Sequence, residues 1–168
     1  MNLLLVRHAH ATWNGRQWAN DSERPLTDLG TKQAEALGQA LGRVVGHVDV
    51  LMSTPLTRAR QTADIIARAT GWPSPQVHEP AFSGSDHSGW VKTLLGSFQG
   101  LDVPTLAYVG HEPTLSELIT LLLGGPTQSL MVEMRPGGAA SLSFEGPPIE
   151  GEGYLNWLVR PELVMGAH

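Results

Sequence analysis

Leu3-Leu4-Leu5-Val6 is an unbroken apolar run that ends on Arg7-His8. Apolar residues in succession, with no polar alternation, fit a strand buried on both faces, as in a parallel sheet covered by helices on either side. Two later stretches also read as strands: His47 to Ser53 (His-Val-Asp-Val-Leu-Met-Ser) and Thr105 to Val109 (Thr-Leu-Ala-Tyr-Val). Between them the period changes to that of a helix. Pro25-Leu26-Thr27-Asp28 opens one from an N-cap at Thr27, and it runs to about Val45 with Leu37, Leu41 and Val44 on one side. Gly30, Gly38 and Gly42 weaken this helix. A second helix is predicted from about Leu56 to Ala69, with Pro55 in its first turn and Gly71 and Pro73 as its stop. Others are predicted near Trp90 to Phe98 and from Thr114 to Leu123, the last ended by Gly124-Gly125-Pro126.

Ala11 to Arg24 is polar and turn-rich, and Pro73 to Gly89 is a long stretch of Pro, Ser and Gly that reads as an irregular excursion. Ala139 to Phe144 and Tyr154 to Val159 read as two strands paired as a terminal hairpin. The expectation is a three-layer α/β/α sandwich: a mostly parallel sheet, helices on both faces and a C-terminal hairpin. It forms a single domain over residues 1–168.

Composition narrows the function more than the fold. A net charge of −5 argues against a general nucleic-acid or membrane-surface binder. With no cysteine, disulfides, thiol catalysis and thiolate metal sites are excluded. No signal-peptide pattern opens the chain, and no apolar run approaches the roughly 18 residues of a membrane span. The expected setting is cytoplasmic.

The candidate chemistry lies where the apolar runs end. Arg7 and His8 follow the first strand, Arg58 and Arg60 lie in the first turns of the helix after the second, and His111 follows the third. If the strands are parallel, these junctions share one edge of the sheet, where ligands of open α/β sheets bind. Arginines, imidazoles and helix N-termini facing one crevice suit a small dianion such as phosphate. A neutral imidazole is a competent nucleophile toward phosphorus, and neighbouring arginines favour that neutral form. Arg60 points to a different helix side from Arg58 and reads as a surface residue.

Arg7-His8-Ala9 resembles the Arg-His-Gly signature of the histidine phosphatase (phosphoglycerate mutase-like) superfamily. Three further blocks match it in order: Glu23-Arg24-Pro25-Leu26-Thr27 with Gly30, Ser53 to Ala63 around Arg58, and Gly110-His111-Glu112-Pro113. The resemblance implies His8 as nucleophile, with Arg7, Arg58 and His111 on the phosphoryl oxygens. It also implies Asn14 as a phosphate contact beside Trp13. The short length, the Gly-His-Glu-Pro-Thr-Leu-Ser run and the Trp157 to Pro161 segment look most like SixA-type members, which remove phosphate from a histidine of a phosphorelay protein. A broad small-molecule phosphomonoesterase or mutase-like enzyme of the same superfamily is the alternative. Members that cleave esters use a carboxylic acid to protonate the leaving oxygen; Glu79, in a Glu-x-x-Phe82 pattern, is the first candidate here and Asp86 the second.

No metal or cofactor is required by this chemistry. Ala9 stands where the family has Gly, an exchange that costs stability if the position needs positive φ. His8-x-His10 also suits a metal-dependent hydrolase, but that pattern belongs to barrels of about 250 residues. A phosphate-binding module without turnover is a third class, disfavoured by the presence of His8. Trp13 and Trp18 are candidates for the pocket wall.

Overall fold

A computed structural model describes residues 1–13, 20–79, 87–127 and 130–166. Six strands form one sheet: β1 (Asn2–Arg7), β2 (Val50–Ser53), β3 (Gln76–Val77), β4 (Thr105–Gly110), β5 (Ala139–Ser143) and β6 (Tyr154–Val159). Their spatial order is β3-β2-β4-β1-β5-β6, with β3, β2, β4 and β1 parallel, and β5 and β6 joined as an antiparallel pair. The helices are α1 (Asp28–Val44), α2 (Thr57–Thr70), α3 (His87–Gln99), α4 (Thr114–Gly124) and α5 (Pro161–Met165). Asp21–Glu23 adds one 3-10 turn.

β1 is apolar at every interior position because it is central. Leu3 and Leu5 face a core shared with α3 and α4 through Leu94, Phe98, Leu115, Leu118 and Ile119. Leu4 and Val6 face the opposite core with Leu37 and Leu41 of α1 and Ala59, Ala63 and Ile66 of α2. Each fully buried leucine contributes about 1.5–3 kcal/mol, so burial on both faces gives one register a clear advantage over its neighbours. The predicted three-layer arrangement, the mostly parallel sheet and the terminal hairpin are all present.

Two elements depart from the sequence expectation. The Pro73 to Gly89 excursion contains β3, a two-residue edge strand on Met52 and Ser53, and α3 starts at its end, at His87. Two exposed residues have no hydrophobic period to detect. α5 was also unforeseen; it starts at Pro161 and packs on α1. Pro55 precedes α2 rather than entering its first turn, whereas Thr27 caps α1 as expected, accepting from Gly30 N at 3.1 Å.

The glycines of α1 have packing reasons that outweigh their poor helix propensity. A Cβ at Gly38 would press on Ala69 and Ile66 of α2, and one at Gly30 would strike the His10 carbonyl. Gly30 therefore lets the first turn of α1 close onto the loop that follows β1. Helix propensity favours Ala over Gly by about 1 kcal/mol, but a backbone overlap of this kind costs about 1–3 kcal/mol. Gly30→Ala is expected to lower the melting temperature by about 2–6 °C in calorimetry; an unchanged or higher value would show that the loop yields freely.

Candidate active site

The carboxyl ends of β1 and β4 bring the Arg7-His8 and Gly110-His111 motifs together. Arg7 pairs with Gly110, and His8 N donates to Gly110 O at 2.9 Å, so His8 and His111 leave adjacent strands side by side. The main chain from Arg7 to His10 is held on all sides. Arg7 N donates to Gly138 O, and Gly137 N donates to Arg7 O and His8 O. Ala9 N donates to Thr62 Oγ1, and His10 N to Gln33 Oε1. Gly137 takes φ +79°, in the left-handed region where glycine carries no Cβ penalty, and this tightens the turn onto His8. Ala9 is fully buried and no described non-glycine residue has positive φ, so the Ala-for-Gly exchange carries no backbone strain.

The His8 ring has a defined tautomer. Nδ1 lies 2.8 Å from Ala9 O, a carbonyl that only accepts, so Nδ1 carries the hydrogen and Nε2 the lone pair. Arg58 Nε then donates to that Nε2 at 3.2 Å. Burial pushes the His8 pKa down to about 4; the Ala9 carbonyl pulls it up, while Arg58, Arg7 and His111 add to the depression. The ring is therefore neutral at pH 7, with its nucleophilic nitrogen against an arginine.

Arg58 is buried at 5% exposure on the first turn of α2, and it is not alone. Its Nη1 donates to Asp21 O at 2.9 Å and its Nη2 to Asp21 Oδ2 at 3.1 Å. Asp21 Oδ1 accepts from Arg24 Nε at 2.8 Å, and Arg24 Nη1 reaches Thr12 O. Desolvation works to raise the Asp21 pKa, but Arg58 and Arg24 together outweigh it and hold the carboxyl below its usual range. One turn along α2, Thr62 Oγ1 donates to Arg58 O and accepts from Ala9 N, so one hydroxyl ties the helix to the strand end. Arg7 Nη1 donates to Met134 O at 2.6 Å, while its Nε is buried with no hydrogen-bond partner among the described residues. Arg58 at the imidazole nitrogen, with Arg7 acting on the charge of the same ring, can hold a phosphoryl group and present it to a nucleophile.

Arg7, His8, Arg58 and His111 are thus brought together, and all three partners bear on the charge state of His8. Arg60 is exposed, as its helix position requires. Glu79 follows β3, with β2 and β4 between it and β1, and is exposed. Asn14, Trp18, Phe82 and Asp86 lie outside the described residues. Trp13 is 88% exposed and walls nothing among the described residues. His10 Nδ1 is turned to Thr27 Oγ1, away from the His8 contacts. Sequence reasoning missed Asp21, read only as part of a turn, and Thr62; the i, i+4 spacing from Arg58 to Thr62 was the available signal.

The profile of the Histidine phosphatase superfamily (branch 1) matches residues 3–93. An uncharacterized protein of Picosynechococcus sp. is 32% identical over 127 residues, 76% of each chain. The phosphohistidine phosphatase SixA of Escherichia coli is 24% identical over 161 residues, 96% of this chain and 94% of that one. A solved structure of the protein histidine phosphatase SixA complexed with tungstate superposes with a TM-score of 0.74 at 23% identity, covering 96% of this chain and 97% of the other. Among the described residues no helix is long and apolar enough to cross a membrane. With its profile match running from the first strand through the block around Arg58 and its fold superposing along almost the whole length, the chain belongs to the histidine phosphatase superfamily.

Proposed function

We propose that this protein is a phosphatase that takes a phosphoryl group onto His8 Nε2 and passes it to water, acting on phosphohistidine carried by a protein. The observation that carries the reading is the Nδ1–H to Ala9 O hydrogen bond, which leaves the Nε2 lone pair facing Arg58 on a ring held neutral. In the first step Nε2 attacks phosphorus and the bond to the leaving nitrogen breaks. Phosphorylation makes the His8 ring cationic, and the Ala9 carbonyl stabilises that charge through Nδ1–H. Arg58, Arg7 and His111 hold the equatorial oxygens, Arg58 Nε shifting from Nε2 to oxygen as phosphorus arrives. Water then attacks phosphorus, the P–Nε2 bond breaks, and the neutral imidazole returns with phosphate released.

The leaving group selects among substrates. An ester oxygen needs a proton from an acid, whereas a protonated phosphoimidazole departs as neutral imidazole. Of the carboxyls described near the site, Asp21 is held ionised by two arginines, Glu112 accepts from Ser116 and Met134, and Glu79 is exposed beyond β3. Asp21 and Glu112 are committed to these partners, and the likeness to SixA along nearly all of both chains supports a phosphohistidine substrate.

In a panel of phosphohistidine peptide and p-nitrophenyl phosphate, the peptide is expected to be hydrolysed with a kcat/KM at least about tenfold higher. Chelator leaves both rates unchanged, and His8→Ala abolishes turnover together with the acid-labile phosphoenzyme. Glu79→Gln changes either rate by less than about threefold; a loss of about 100-fold on the ester, without preference for the peptide, would make Glu79 the acid of a phosphomonoesterase instead.

His8 supplies a pH prediction. Its ordinary pKa of 6.5 falls to about 4 in the folded protein. The unfolded chain therefore binds the proton first, and stability falls as pH is lowered through the window between those values. Nitrogen-15 NMR should find His8 as the Nδ1–H tautomer down to about pH 5. A midpoint near the ordinary histidine value would contradict the burial that defines the site.

A further inference from the structure

Glu112 follows His111 and precedes the first turn of α4, and its carboxylate reaches in two directions. Oε2 accepts from Ser116 N at 3.2 Å and from Ser116 Oγ at 2.6 Å, satisfying an N-terminal amide of α4 that Pro113 does not cap. Oε1 accepts from Met134 N at 3.2 Å, on a segment far along the chain that has no regular secondary structure. Met134 is 1% exposed, and its carbonyl is the acceptor for Arg7 Nη1.

The two site arginines are therefore anchored differently. Arg58 is bound directly by a carboxylate, Nη2 donating to Asp21 Oδ2, and Nη1 donates to the main-chain carbonyl of the same residue. Among the described residues the Arg7 guanidinium has one hydrogen bond, to a neutral carbonyl, and that carbonyl belongs to the residue Glu112 holds. Glu112 also acts on Arg7 through its charge, as the main influence opposing the burial that depresses Arg7. One side chain thus joins the start of α4, next to His111, to the residue that aims Arg7.

Resting on the phosphoryl-site reading above, we propose that Glu112 is the positioning residue for Arg7: it fixes Met134 so that the guanidinium stands over the phosphoryl group beside His8. It touches neither substrate nor reacting atoms.

The test compares wild type, Glu112→Gln and Ser116→Ala, using inorganic phosphate as a competitive inhibitor of aryl phosphate hydrolysis and recording KM, kcat and melting temperature. Glu112→Gln loses the charge and offers one acceptor where two are used. Its phosphate inhibition constant and KM are expected to rise about tenfold, with kcat lowered by less. Ser116→Ala removes only the hydroxyl contact on the α4 side. It is expected to lower the melting temperature much as Glu112→Gln does, while leaving the phosphate constant within about twofold. If Glu112→Gln leaves that constant within about twofold of wild type, or if Ser116→Ala weakens phosphate equally, Glu112 is a helix cap alone and the proposal fails. If phosphate does not compete in the wild type, the phosphoryl-site reading fails first and takes this proposal with it.

Discussion

The hydrogen bond from Arg58 Nε to His8 Nε2 joins residues 50 positions apart, and most of the site is arranged so that it can form. It requires an imidazole with a fixed tautomer, which Ala9 O provides, and a guanidinium aimed by Asp21. It also requires that α2 and the end of β1 keep a constant separation. Thr62 does this with one hydroxyl, donating to Arg58 O and accepting from Ala9 N. Beneath that contact, the small residues Ala59 and Ala63 let α2 lie close to Leu4 and Val6 of the sheet. Packing on one face of the sheet is thereby transmitted to the geometry of two functional side chains.

Electrostatics explains why a chain of net charge −5 can hold a positive pocket. The cationic groups are concentrated at the carboxyl end of β1 and β4, and the carboxylates nearby are used as anchors rather than as neutralising partners inside the pocket. Asp21 binds Arg58 and Arg24 from outside, and Glu112 acts on Arg7 through Met134. The same grouping of cations adds to the burial that keeps His8 neutral, so under the proposed function one feature would both attract phosphate and prepare the nucleophile.

How much of this was readable beforehand differs by element. The strands β1, β2 and β4 and the helices α1, α2 and α4 carry long, regular patterns, because a buried strand or an amphipathic helix imposes its period on the residues that form it. β3 and α5 left no such trace: the first is two exposed residues, and the second is five residues docked on a neighbour. Gly30 and Gly38 even argued against α1, since propensity is a local quantity and the His10 carbonyl and Ala69 that require glycine come from elsewhere in the fold.

The same division runs through the site. Arg7, His8, Arg58 and His111 were legible because their residue types stand at strand ends and helix starts, and a parallel sheet must carry those junctions to one edge. Local sequence also placed the cap at Thr27 and set Arg60 away from Arg58. Asp21, Thr62, Glu112 and Met134 acquired their parts only in three dimensions. Their partners lie 22 to 53 residues away for the Met134–Glu112 and Ala9–Thr62 contacts, and 127 away for Arg7 and Met134. Residue type and spacing determine which groups reach the crevice; the distances, the tautomer of His8 and the support of each arginine are set by packing between segments that no local pattern links.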